Sequence, residues 1–509
     1  MERLAGRVIL LWGWRRWLVA TVAGAVASLA LAPFDFPAAG FVAFPVLVWL
    51  LDGAVAARGR WASLLSFFTV GWFFGFGYFL AGMGWVGTPF ARAESVVPFL
   101  FNTMGLPAAL ALFYGVAALL SRLLWSDGLG RIAALAFAFA VAEWLRVTLL
   151  AGFAWNAIGY VITPLPIFMQ VVQVVGLMGL NAAAVFVFAA PALIGTRRHL
   201  AAGLALAAAL VAMQLGYGYF QIASPTAGEF VQVRLVKLAN AEATDFQKAF
   251  ASYRELTAAP AAGEIPALVL WPENAVPFVL TERGDLLTAL GETVAAGQVL
   301  VLGTKRREYA GDEAVHDAVA VITNDGEIAD AADRQDLFLL ANDTPFVGIA
   351  RVPDLRTIMS AALGSSERPR RLLKIDEEIR ALPLIGTEAI IPGAAGNEVE
   401  ADVILNPADY SVFVGTPAPY QHLRQAQIQA VEAGRSLVLA MPSGIVAAID
   451  SRGRILAAMG PGSRGTLDIS LPVTKENVVT LGIRFYAGLT FAVFFGILAL
   501  LISMRDRLM

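Results

Sequence analysis

The chain has 509 residues, 58% hydrophobic and only 15% charged, and its mean hydropathy of +0.67 is too apolar for a soluble protein of this length. A net charge of -3, with Lys and Arg in short clusters, excludes an electrostatic case for nucleic-acid binding. No cysteine occurs, so disulfides are excluded, and with them any chemistry through a thiolate of this chain.

Apolar runs near the roughly 17 to 25 residues needed to cross a bilayer lie at Trp17–Leu31, Ala38–Leu51, Leu64–Val86, Phe99–Leu119, Ile132–Leu149, Val171–Ile194, Leu200–Phe220 and Phe485–Met504. Arg15 and Arg16 precede the first run, Arg58 and Arg60 follow the second, and Arg122 and Arg131 follow the fourth. Arg197 and Arg198 follow the sixth, and Arg505 and Arg507 follow the last. The positive-inside rule makes these ends cytoplasmic, which gives eight spans with both termini inside. A basic start before an apolar run also fits a cleaved signal peptide, but Ala32–Phe36 leads straight into a second span, so a retained helix is expected.

The block between the seventh and eighth spans then lies outside the cytoplasmic membrane, dividing the chain into domains at 1–220, 221–480 and 481–509. Its β-branched or leucine-rich runs predict strands at Phe230–Leu238, Ala267–Trp271, Val299–Gly303, Ala318–Thr323, Ala389–Pro392, Val403–Asn406, Ser436–Met441 and Ile445–Asp450. Helical stretches at Asp245–Thr257 and His422–Ala433 separate some of them, an alternation expected of an α/β layered domain. Ile322–Glu327 and Ile449–Arg454 carry hairpin turn dipeptides, and the charged segment Ser365–Ile379 reads as a loop or surface helix. No internal repeat is evident.

Several motifs recur together in one known family. In the membrane half these are Leu31–Ala39 (LAPFDFPAA), Gly71–Gly77 (GWFFGFG) with Trp85, and Glu143–Tyr160 (EWLRVTLLAGFAWNAIGY). In the soluble half they are Trp271–Pro277 (WPENAVP), Tyr420–Gly434 (YQHLRQAQIQAVEAG) and Gly444–Ile455 (GIVAAIDSRGRI). In their order and spacing the chain resembles the apolipoprotein N-acyltransferases over nearly its whole length. The resemblance implies a polytopic α-helical bundle of about eight transmembrane helices and a periplasmic nitrilase-like αββα sandwich, in the bacterial inner membrane. It also implies a glutamate as general base, a lysine at the oxyanion and a cysteine nucleophile, which carries an acyl chain from phospholipid to a lipoprotein's N-terminal amine.

Carried over residue by residue, this pattern is incomplete. Glu273 takes the position of the base. The nucleophile falls in Leu384–Glu388 (LIGTE), so Gly386 stands on the cysteine and Glu388 on the glutamate that trails it. No lysine occurs between Lys305 and Lys374, and Arg334 is the nearest basic residue; Thr344–Gly348 (TPFVG) has lost the family's second glutamate. The family's Asn-Asp-Ala-Trp-Phe and Thr-Asn-Asn-Gly appear as Asn406–Tyr410 (NPADY) and Met441–Gly444 (MPSG).

Other residues invite chemistry and have simpler readings. Thr387 beside Gly386 offers a hydroxyl, but an alkoxide needs a stronger base than a thiolate does. Ser365, Ser366 and Ser443 read as loop residues, His422 as a hydrogen-bonding helix residue, His199 as part of a basic cluster and His316 as a strand-edge residue. Nothing has metal-ligand spacing and no phosphate loop or cofactor motif occurs. Glu143 and Arg146, on one helix face, are a structural pair or, with Trp85, Phe153 and Trp155, part of a lipid groove. Gly71, Gly75 and Gly77 suit close helix packing. The reading expected from these residues is a non-catalytic relative that binds a membrane lipid, a lipoprotein or a membrane-protein partner. The alternative is an active acyltransferase that works without cysteine, through Glu273 or Thr387.

Overall fold

The computed structural model describes residues 2–55, 59–91, 96–150, 152–224, 229–239, 245–261, 263–307, 315–335, 370–395, 400–473 and 479–508. These fall into two compact units, residues 2–223 with 482–508, and residues 224–335 with 370–481.

The first unit is helical. Seven helices among the described residues are long and apolar enough to cross a membrane: Pro37–Val55, Arg60–Phe90, Val96–Leu123, Leu129–Leu149, Val172–Gly195, Leu200–Ala223 and Leu481–Leu508. The expected first span is the exception, a helix over Trp14–Ala27 ending in a 3-10 turn over Ser28–Ala30. At 1.5 Å per residue those segments reach roughly 25 Å, short of the roughly 30 Å hydrocarbon core. The glycines of Arg60–Met83 work as expected. A Cβ on Gly71 would sit 2.4 Å from the Tyr114 carbonyl oxygen and one on Gly77 1.9 Å from that of Thr21, so both neighbouring helices touch this one backbone to backbone.

The second unit is a two-sheet sandwich. The strands are β1 (Glu229–Lys237), β2 (Leu268–Leu270), β3 (Val299–Arg306), β4 (His316–Ile322), β5 (Ile328–Asp333), β6 (Leu373–Lys374), β7 (Arg380–Pro383), β8 (Val403–Pro407), β9 (Ser436–Ala440), β10 (Val446–Ile449), β11 (Ile455–Met459) and β12 (Gly465–Val473). One sheet runs β12-β1-β2-β3-β4-β5 and the other β11-β10-β9-β8-β7-β6. The central strands β1, β2 and β3 are parallel, as are β7, β8 and β9. Both turn-bearing segments close antiparallel hairpins, β4-β5 and β10-β11.

Alternation along the strands explains the layers. Val231, Val233, Leu235, Leu268 and Leu270 face Leu405, Val438 and Val446 of the other sheet across one apolar core. The intervening residues Val236, Val269 and Leu300 pack outward with helix Phe246–Thr257. Helix Ala418–Ala433 lies against β9 and β10, completing the αββα order. One local expectation fails. The run at Ala389–Pro392 is not a strand, because Gly386–Ile390 winds into a 3-10 turn. Of Ser365–Ile379, residues 365–369 lie outside the described residues, and the remainder is loop, as expected, apart from the two-residue strand β6.

Candidate functional site

Glu273 is placed by the end of β2. Trp271 donates from Nε1 to Thr257 Oγ1 at 2.9 Å and stacks on Tyr253, which fixes the strand end against the outer helix. The chain then turns across β3, where a Cβ on Gly303 would lie 2.5 Å from the Glu273 Cα; only glycine admits this crossing. Glu273 is consequently 7% exposed at the parallel strand ends. Burial pushes its carboxyl up to about 7; Arg334 opposes that shift, whereas Asp409 and Asp317 add to it.

Arg334 follows β5 and reaches this carboxylate. Its Nη1 lies 3.2 Å from Glu273 Oε1 and 3.8 Å from Asp317 Oδ2, and its Nη2 donates to Thr387 Oγ1 at 2.8 Å. Asp317 also pairs with Lys305, directly opposite it across β3 and β4.

Gly386 comes from the other sheet, just after β7, with a left-handed φ of 58°. A Cβ built on it would lie 2.9 Å from Glu273 Oε2 and 3.3 Å from Arg334 Cζ. The residues expected as base and nucleophile position therefore do converge, but the carboxylate and guanidinium close over the glycine. Thr387 is in the same place, yet its hydroxyl meets Arg334, and no hydrogen bond to Glu273 is formed among the described residues.

A buried relay holds the glycine turn. Asn406 Nδ2 donates to the carbonyls of Leu384 and Gly386, which leaves its Oδ1 facing His422 Nε2 at 2.7 Å. His422 must therefore carry its proton on Nε2, and its Nδ1 accepts from Tyr410 Oη at 2.8 Å. Burial lowers the imidazole to about 3, so it is neutral, as its structural reading requires. Glu388 is equally structural in its contacts: its carboxylate accepts from the backbone N–H groups of Ile385 at 2.7 Å and Gln335 at 2.8 Å and pairs with Arg370 at 3.1 Å.

The remaining sequence candidates scatter. Ser365, Ser366 and Thr344–Gly348 lie outside the described residues. Ser443 is buried after β9, His316 is exposed at the head of β4, and His199 Nδ1 accepts from the Leu129 N–H at 3.4 Å. In the helical unit Glu143, Arg146, Phe153 and Trp155 are buried inside the bundle, and Trp85 is half-buried beside Trp155. Sequence reasoning missed Asp317 and Asp409. Asp317 had a signal, an opposite charge directly across from Lys305 in neighbouring strands. Asp409 lay within the Asn406–Tyr410 motif, but nothing in the sequence set it beside Glu273, because only the fold brings the end of β8 over β2.

The N-terminal domain model of the apolipoprotein N-acyltransferases matches residues 23–190. Proteins of that name from Rhizobium rhizogenes and Agrobacterium fabrum are each 42% identical to this chain, covering 92% and 97% of it and the same shares of their own lengths. The protein of that name from Brucella suis is 40% identical, over 94% of this chain and 93% of its own. Among solved structures, an amidase from Nesterenkonia sp. is similar at 19% identity and a TM-score of 0.37, covering 49% of this chain and 93% of the amidase. With relatives this similar along almost its entire length, the chain belongs to the apolipoprotein N-acyltransferase family and is a multi-pass membrane protein that also carries a two-sheet α/β sandwich.

Proposed function

We propose that this protein is a non-catalytic member of its family, in which the helical bundle and the sandwich bind a lipid, a lipoprotein or a membrane-protein partner. One observation carries the reading. The nucleophile position is Gly386, under the Glu273–Arg334 pair, in a chain without cysteine. The alternating basic ends support a cytoplasmic-membrane location with the 221–480 domain on the periplasmic side, between an N-terminal bundle of 1–220 and a C-terminal helix of 481–509.

The test is incubation of the purified protein with labelled phospholipid and a lipidated acceptor peptide, beside a cysteine-bearing relative. No covalent acyl adduct and no transfer are expected by mass spectrometry. An adduct on the chain would overturn the reading. Gly386→Cys is expected to stay inactive, because a guanidinium stands beside the site in place of lysine and is not an equivalent point charge. Partner identity is approached by purification in mild detergent, where a stoichiometric companion is expected.

The second reading, acyl transfer without cysteine, has one observation in its favour: a carboxyl at about 7 is suited to act as a base near neutrality. It requires turnover that survives thiol-blocking reagents and disappears in Glu273→Gln.

A further inference from the structure

Lys237 ends β1 and continues its inward alternation after Val231, Val233 and Leu235, so its side chain enters the space between the two sheets. It is fully buried at 0% exposure. Its Nζ makes one long hydrogen bond, 3.5 Å to the Pro442 carbonyl, and among the described residues no carboxylate pairs with it. An ammonium has three donors, and a buried charge without a counter-charge is costly. Burial lowers this amine to about 8, which leaves it largely protonated at neutral pH.

The register of β1 and β2 sets Leu235 opposite Leu270, and carried two residues further it brings Lys237 level with Pro272, one residue before Glu273. Pro442 follows the carboxyl end of β9, and the next residue, Ser443, is 3% exposed with no hydrogen bond from its hydroxyl among the described residues. Two polar side chains without adequate partners thus lie at the carboxyl ends of parallel strands from both sheets, the rim where open α/β sheets receive ligands.

We propose that Lys237, with Ser443 beside it, forms an oxyanion subsite that takes a carboxylate or phosphate group. The ammonium supplies charge and two unused donors, and the serine hydroxyl supplies a third. The shared chemistry belongs to a fatty-acid carboxylate and to a phospholipid headgroup alike. The subsite does not depend on whether Glu273 takes part in catalysis.

The experiment follows thermal unfolding of the full-length protein in detergent with sodium butyrate, sodium phosphate or, at equal ionic strength, sodium chloride. A rise of a few degrees over chloride is expected with at least one oxyanion, and the better of the two identifies a carboxylate or a phosphate source. Lys237→Met should lose that rise, Lys237→Arg should keep most of it, and Ser443→Ala should reduce it. An equal rise in the parent and Lys237→Met would mean general salt stabilisation and overturn the proposal. No rise in the parent would also overturn it, whatever the stability of the variants. Should Lys237→Met fail to fold, Lys237→Gln and labelled-phosphate equilibrium dialysis on the parent and Ser443→Ala decide by the same criteria.

Discussion

Two buried glutamate–arginine pairs, one in each unit, are built to opposite standards. In the helical unit Arg146 grips Glu143 Oε2 with Nε at 2.9 Å and Nη2 at 2.6 Å, and Oε1 accepts from Tyr114 Oη at 2.8 Å and the Ile158 N–H at 3.2 Å. Arg146 Nη1 then holds the carbonyls of Phe153 and Trp155. In the sandwich Arg334 touches Glu273 through one nitrogen at 3.2 Å, shares that nitrogen with Asp317 and spends the other on Thr387. The first pair is a saturated staple between helices and an irregular segment. The second is an under-compensated carboxylate, and such groups belong to sites more often than to scaffolds.

Breaking the staple should have the largest effect. Arg146→Met leaves a buried carboxylate with two of its four hydrogen bonds gone, a loss of about 3–5 kcal/mol. Thermal unfolding in detergent and monodispersity on size exclusion measure it. Combining it with Glu143→Leu should recover part of the loss, since an apolar pair of similar volume avoids the unpaired charge. If the double variant is worse than the single, Tyr114 and Ile158 depend on the carboxylate more than the arginine does.

The sandwich pair should respond in the other direction. Its carboxyl lies at about 7 in the folded state against an ordinary 4.5, so the folded protein keeps a proton that the unfolded chain has already released. The stability it contributes is full below 4.5 and is lost as pH rises through 7. Glu273→Gln, which resembles the protonated form, should therefore be more stable than the parent at pH 8, by at most about 3 kcal/mol, and match it near pH 4. A variant that melts below the parent at pH 8 would show that the Arg334 contact outweighs burial and that the two pairs are alike after all.

The same contrast explains what could be read without coordinates. Hydropathy found the long helices, because spanning a bilayer demands a run of apolar residues, and its first run overlies the shorter helix Trp14–Ala27 and the 3-10 turn that ends it. Strand alternation found β1 and β8 to within a residue or two at each end. It misread Ala389–Pro392, where Gly386 starts a turn that apolar composition does not reveal. Within the site, Glu273 and Gly386 were legible as motif positions and Arg334 only as the nearest basic residue. The acidic neighbours that add to the shift of Glu273 come from separate elements, Asp317 on β4 and Asp409 just after β8, and Lys237 looks like an ordinary strand-end cation until its burial is known. Periodicity records which face a residue takes. It does not record which strand end will lie opposite.

The smallest effect addresses how tightly the site is closed. Gly386→Ala forces a Cβ onto a left-handed backbone, a strain of about 1–2 kcal/mol. It also brings that Cβ to 2.9 Å from Glu273 Oε2 and 3.3 Å from Arg334 Cζ, contacts that only a shift of the pair relieves. Gly415 separates the two contributions, because its φ of 78° is also left-handed and a Cβ there meets nothing within 4 Å. Gly415→Ala therefore reports backbone strain alone, and any larger melting loss in Gly386→Ala reports crowding. A larger loss that disappears when Gly386→Ala is combined with Glu273→Ala assigns the crowding to the carboxylate. Equal losses would mean that Glu273 and Arg334 yield freely to a side chain at residue 386, so closure of the pair over the glycine would add nothing to the absence of a cysteine and of the lysine.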